Sequence, residues 1–127
     1  MPDWPRGVSA ITLFVADVQT SRDWYAMVFD QEAIFEDPHS AVFRFGETVV
    51  NLLVRSQAGE LVTPQPVAAP DAGAGLLLTL AVDDVDETCA TLASRGVAML
   101  NGPMDRPWGI RTAAFADPDG YVWELAH

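Results

Sequence analysis

The apolar positions of this chain change period twice, and the same change occurs in each half. Over residues 8–15 they alternate. Ile11, Leu13 and Val15 fall on one face, and Ala10, Thr12 and Phe14 on the other, the period of a half-buried strand. Asp17 or Thr20 can then cap a helix running to Phe29, on which Trp24, Tyr25, Val28 and Phe29 recur at helical spacing and pack on a sheet. Three short strands follow over 33–36, 41–45 and 48–54, with Asp37-Pro38-His39-Ser40 and Gly46-Glu47 as the turns between them.

Residues 56–75, rich in Pro, Gly and Ala, read as a connector. The pattern then restarts. A strand spans 76–82. Asp83 can cap a helix over 84–95, whose first turn carries Asp86 and Glu87 and which Gly96 ends. A strand over 97–104 leaves through Asp105-Arg106-Pro107-Trp108-Gly109, and a strand over 110–116 returns. The Asp117-Pro118-Asp119-Gly120 turn feeds a last strand with Tyr121, Trp123 and Leu125 on one face and Val122 and Glu124 on the other.

The halves are an internal repeat. Thr12-Leu13-Phe14-Val15-Ala16-Asp17-Val18 matches Thr79-Leu80-Ala81-Val82-Asp83-Asp84-Val85, and Val50-Asn51-Leu52 matches Trp123-Glu124-Leu125. The expected fold is α+β: a single domain over 1–127 holding two tandem βαβββ modules, about 8–55 and 76–126. These would form a curved mixed sheet around a cleft, with helices outside. Residues 1–7 read as an arm.

Bulk properties narrow the function. The 127 residues carry a net charge of −11, which argues against nucleic acid and anionic membranes as partners. The same charge permits a cationic ligand, or simply keeps the surface soluble. All seven basic residues are Arg, so Schiff-base chemistry on a lysine is ruled out. The single cysteine, Cys89, rules out a cysteine metal cluster. With no leader and no long apolar run, a cytoplasmic protein is expected.

Glu124 puts a carboxylate on a strand that otherwise reads as core. Burying it without a partner is costly, so it is expected to face a cleft. By alternation the same cleft receives Ala10, Thr12, Phe14, Val49, Asn51, Leu53, Leu77, Thr79, Ala81 and Val122. That set suits either a small-molecule pocket or a filled core. Trp108, beside Gly109 in a connection, can stack on a planar ligand or lid the core. His39 reads as a turn residue, and pleat alternation turns His127 away from Glu124.

The repeated modules, Ala16-Asp17-Val18 with Trp24-Tyr25, and the run from Trp108-Gly109-Ile110-Arg111 to Asp117-Pro118-Asp119-Gly120-Tyr121-Val122-Trp123-Glu124-Leu125 carry a resemblance. The chain resembles the vicinal oxygen chelate superfamily, which includes glyoxalase I, bleomycin-resistance proteins and extradiol dioxygenases. The resemblance implies a divalent metal held at the places of Ala10, Asn51, Leu77 and Glu124. Of these only Glu124 keeps a ligand type. It therefore implies a bleomycin-resistance-type protein, a binder rather than an enzyme. Such a protein would take a planar or cationic small molecule, such as an antibiotic, as a homodimer, with no metal or other cofactor. Phe14, Asn51, Trp108 and Glu124 would be the contact set. The alternative is a glyoxalase-like lyase, isomerase or dioxygenase, with a divalent metal in an atypical site or Glu124 as acid or base.

Overall fold

Each half of the chain forms its own four-stranded mixed sheet. The computed structural model describes residues 4–127; of the arm expected over 1–7, residues 1–3 lie outside the described residues. One unit runs to Val67 and the other begins at Ala68.

The first unit contains β1 (Ala10–Val15), α1 (Val18–Phe29), β2 (Phe35–Glu36), β3 (Ser40–Phe45) and β4 (Thr48–Val54). The sheet order is β1-β4-β3-β2, with β1 parallel to β4 and the other pairs antiparallel. Asp17, not Thr20, caps α1: its side chain accepts from the Thr20 N–H at 2.9 Å. Leu13, Val15, Ala41, Phe43, Val50 and Leu52 are each at most 2% exposed and share one face of the sheet. Helix α1 lies on that face, because Tyr25 meets Phe43 with ring centroids 5.9 Å apart. Tyr25 also stacks on Phe29 at 5.7 Å and meets Trp24 edge-on at 4.9 Å. The Trp24-Tyr25 pair thus belongs to helix-on-sheet packing. Strand β2 begins at Phe35 rather than at 33, and it ends at Glu36 as expected, where Asp37 gathers the N–H groups of His39 and Ser40, each at 2.8 Å, into a tight turn.

The connector opens with helical turns that its composition hides. Arg55–Gln57 is a short 3-10 helix and α2 spans Gly59–Val62, with Ala58 between them fully buried. A single buried methyl anchors a segment otherwise rich in turn residues.

The second unit contains β5 (Leu77–Ala81), α3 (Val85–Ser94), β6 (Asn101–Asp105), β7 (Arg111–Ala116) and β8 (Val122–Ala126), in the sheet order β5-β8-β7-β6. Here the cap is Asp84, not the expected Asp83; its side chain accepts from the Glu87 N–H at 3.0 Å. The first helical N–H, that of Val85, goes to His127 Nδ1 at 2.9 Å. His127 therefore helps seat the helix start. The core face carries Ala113, Phe115, Trp123 and Leu125, each at most 2% exposed, against Val85, Cys89 and Leu92 of α3. Burial and the Asp86 carboxylate push the Cys89 thiol up, so it behaves as a packing residue.

Strand β6 starts at Asn101 rather than at 97, because the Val97 N–H turns back to the Leu92 carbonyl. The β6–β7 register then shifts between Asn101 and Met104. Gly102, at φ +79, sits in that irregularity. Among the described residues no helix is long and apolar enough to cross a membrane.

The internal repeat is visible in the strand register. Thr12 faces Asn51 across β1–β4, and Thr79 faces Glu124 across β5–β8. The two positions matched between the halves thus occupy one structural place.

Two outcomes test this fold. A Cβ at Gly102 would strike the Thr112 carbonyl oxygen and come 2.7 Å from Ala113 Cα, both backbone atoms that cannot swing aside. Gly102→Ala should therefore destabilise by more than the roughly 1–2 kcal/mol of a left-handed residue alone, read as a lowered urea midpoint. Arg111 bonds the Asp86 carboxylate and holds it below its ordinary value of 3.8. A carboxylate depressed in the folded state stabilises above its unfolded value and loses that contribution as pH falls through the folded one. The stability difference between wild type and Arg111→Gln should thus be present at neutral pH and vanish in strong acid, measured by urea unfolding at each pH.

Candidate functional site

The carboxylate that the sequence singles out is positioned by the turn before it. Asp117, 6% exposed, accepts from the N–H groups of Asp119 and Tyr121, each at 2.9 Å. Gly120, at φ +89, closes the turn by donating to the Asp117 carbonyl. This side-chain bridge fixes where β8 begins, and so which residues face which way. Trp123 and Leu125 go to the helix side, and Val122 and Glu124 to the open side.

On that open side Glu124 is half-buried, and one of its carboxylate oxygens accepts the Thr79 hydroxyl at 3.0 Å. In the first unit the equivalent pair does not close. The Asn51 side-chain oxygen is buried and accepts no hydrogen bond, although Thr12 lies opposite in register. Leaving a buried acceptor unmatched costs about 1–3 kcal/mol. Phe14 lies on the same face as Asn51, half-buried, two positions along β1 from Thr12.

Trp108 stands elsewhere. It is 69% exposed, in the turn between β6 and β7 where the Gly109 N–H donates to the Arg106 carbonyl at 3.0 Å. At that exposure it does not lid the core. Phe14 and Asn51 thus share the open face of one sheet. Glu124 occupies the open face of the other, and Trp108 extends from the end of a hairpin.

The histidines lie apart from Glu124. His39 is an exposed turn residue whose backbone N–H donates to Asp37, and His127 caps α3 on the helix side. Arg111 lies on that side too, bonded to Asp86.

Reading the sequence alone missed Arg106. Its Nε donates to Thr112 Oγ1 at 2.7 Å and its Nη2 to Asn101 Oδ1 at 2.9 Å. Thr112 and Ala114 alternate with the core residues Ala113 and Phe115, and Ala114 pairs with Glu124 in register. Thr112 is therefore on the Glu124 side, and it draws the guanidinium there. The alternation of β7 was a signal for Thr112, but a turn residue reaching back onto the sheet leaves no periodic mark.

The places that a metal would need do not suit one. Ala10 and Leu77 bring no lone pair, Asn51 brings an amide and Glu124 one carboxylate, short of the three protein ligands usual at a catalytic metal. Among the described residues no group of three His, Cys, Asp or Glu side chains could hold a metal ion.

Comparison with known proteins agrees with this architecture. The family model described as the Glyoxalase/Bleomycin resistance protein/Dioxygenase superfamily matches residues 7–125. An uncharacterized protein of Bacillus subtilis (strain 168), YraH, is 33% identical over 119 residues, covering 91% of this chain and 93% of that protein. Among solved structures, a glyoxalase/bleomycin resistance protein/dioxygenase from Nocardioides superposes with a TM-score of 0.84 at 20% identity, covering 98% of this chain and 85% of that one. TnmS3, an antibiotic binding protein from Streptomyces sp. CB03234, superposes with a TM-score of 0.69 at 31% identity, covering 95% and 94%. With two βαβββ modules in matching register and a family match over nearly its whole length, the chain belongs to the glyoxalase/bleomycin resistance protein/dioxygenase superfamily.

Proposed function

We propose that the protein binds a planar small molecule of antibiotic type, without a metal. The observation that carries this reading is the buried, unmatched side-chain oxygen of Asn51. A ligand hydroxyl or amine would satisfy it, whereas folding alone leaves it at a cost. Phe14 on the same face offers an aromatic surface. Glu124 offers an acceptor of its own, braced by Thr79, and Trp108 offers an exposed aromatic surface at the hairpin end. The donor set at the family's metal places, one carboxylate and one amide, supports binding without a metal. The likeness to an antibiotic binding protein at 31% identity supports the ligand class.

A second copy of the chain is the partner this reading includes. Phe35 in the edge strand β2 and Ile34 just before it are 55% and 53% exposed, and Leu77 in the edge strand β5 is 52% exposed. Edge strands carrying large apolar side chains favour self-association, and a homodimer would cover them.

The binding test starts from a ligand found by tryptophan quenching with planar aromatic drugs. Asn51→Leu should raise the urea midpoint, because it replaces an unmatched buried acceptor by an apolar group. It should also weaken binding by about fivefold, the worth of one net hydrogen bond. Trp108→Ala should weaken binding with the midpoint unchanged. Binding untouched by either substitution would remove both residues from the site. Sedimentation equilibrium should give twice the chain mass; a monomer at micromolar concentration would sink the homodimer.

A further inference from the structure

The seven arginines of this chain face eighteen acidic residues, yet they are used unevenly. Arg22 pairs with Asp23 and Glu36, and Arg111 with Asp86 and Asp105. Arg106 is held by a threonine hydroxyl and an asparagine oxygen, both neutral. Among the described residues no carboxylate forms an ion pair with it.

The anchoring is specific. Thr112 is 1% exposed and presents its oxygen to Nε, while Asn101 takes Nη2. Two of the fork's three nitrogens are thereby fixed, and Nη1 makes no hydrogen bond among the described residues. The guanidinium lies on the open side of the sheet, the side of Glu124, as the β7–β8 register requires. Thr112 faces Ala126, so it is a diagonal neighbour of Glu124, at roughly 7–8 Å. A fixed cation and a half-buried carboxylate thus share one sheet face without meeting.

An arginine that served only to tie down its turn would gain more from a carboxylate partner, and Asp105 is its neighbour in sequence. That carboxylate goes to Arg111 instead, at 3.0 Å. Neutral anchors hold a guanidinium in place and leave its charge uncompensated, the condition for recognising an anion through a planar fork.

We propose that Arg106 is a ligand-specificity residue. It takes a carboxylate or phenolate of the bound planar molecule, while Glu124, braced by Thr79, accepts from a hydroxyl or amine of the same molecule. This rests on the binding reading above and adds the sign of the ligand's charge. The net charge of −11 favours cations at long range, but in physiological salt that field fades beyond about 8 Å. Contact with a fixed guanidinium decides which ligand stays.

The test titrates the full-length protein with naphthoic acid, naphthamide and naphthylmethylamine, and with the same three groups on anthracene, by tryptophan quenching at neutral pH. The acids should bind about tenfold tighter than the amides, as a charge-assisted contact would give. Arg106→Gln should bring acid and amide to within about twofold of each other, chiefly by weakening the acid, and Arg106→Lys, with charge but no fork, should retain part of the preference. Equal binding of acid and amide by wild type would overturn the proposal, as would tighter binding of the amine. A preference that survives Arg106→Gln, with only the unfolding midpoint lowered, would assign Arg106 to the turn and overturn it too. Amide binding without an acid preference leaves the planar-ligand reading standing. Failure of every compound to bind overturns both.

Discussion

One long helix cannot cover both faces of a four-stranded sheet, and the rest of this structure follows from that constraint. In the first unit α1 takes the face of Leu13, Phe43, Val50 and Leu52, and in the second α3 takes the face of Phe115, Trp123 and Leu125. The alternate face of each sheet is left without a helix of its own. There polar, partly exposed side chains stand among apolar ones: Thr12 and Asn51 in one unit, Thr79 and Glu124 in the other. A sheet face that is not needed for the core is free to carry chemistry.

The two faces have diverged from one plan. The same cross-strand place holds Thr12 opposite Asn51 and Thr79 opposite Glu124. In the second unit the hydroxyl reaches the carboxylate and the pair is satisfied internally. In the first the amide oxygen is buried with nothing to accept. A structural role would favour closing both pairs, because an unmatched buried acceptor weakens the fold. The two units thus differ at one equivalent place: one acceptor is braced and the other is unmatched.

Charge follows a similar division. On the helix side of the second unit, Arg111 bridges Asp86 and Asp105 and ties the start of α3 to the β6–β7 hairpin. On the open side, Arg106 rests on neutral oxygens. Both arginines leave the same hairpin, but Arg111 points to the helix side from strand β7, whereas Arg106 reaches the open side from the turn through Thr112 and Asn101.

The sequence by itself determined the strand-helix-strand order, the repeat and the side to which most residues point. These depend on local period, and apolar alternation survives in any context that buries one face. Asp17 as a cap, Trp123 and Leu125 as core, and the equivalence of Asn51 with Glu124 were all legible in this way. Tertiary structure decided what period does not encode. Asp84 rather than Asp83 caps α3, where His127, distant along the chain, takes the first helical N–H. Strand β6 begins late because Val97 turns back to Leu92. Arg106 joins Glu124's face through Thr112, Trp108 stands clear of the core, and Asn51 lacks the partner that Glu124 has. Each of these turns on one side chain reaching across the fold, a distance of a few ångströms that no local pattern of apolar and polar residues records.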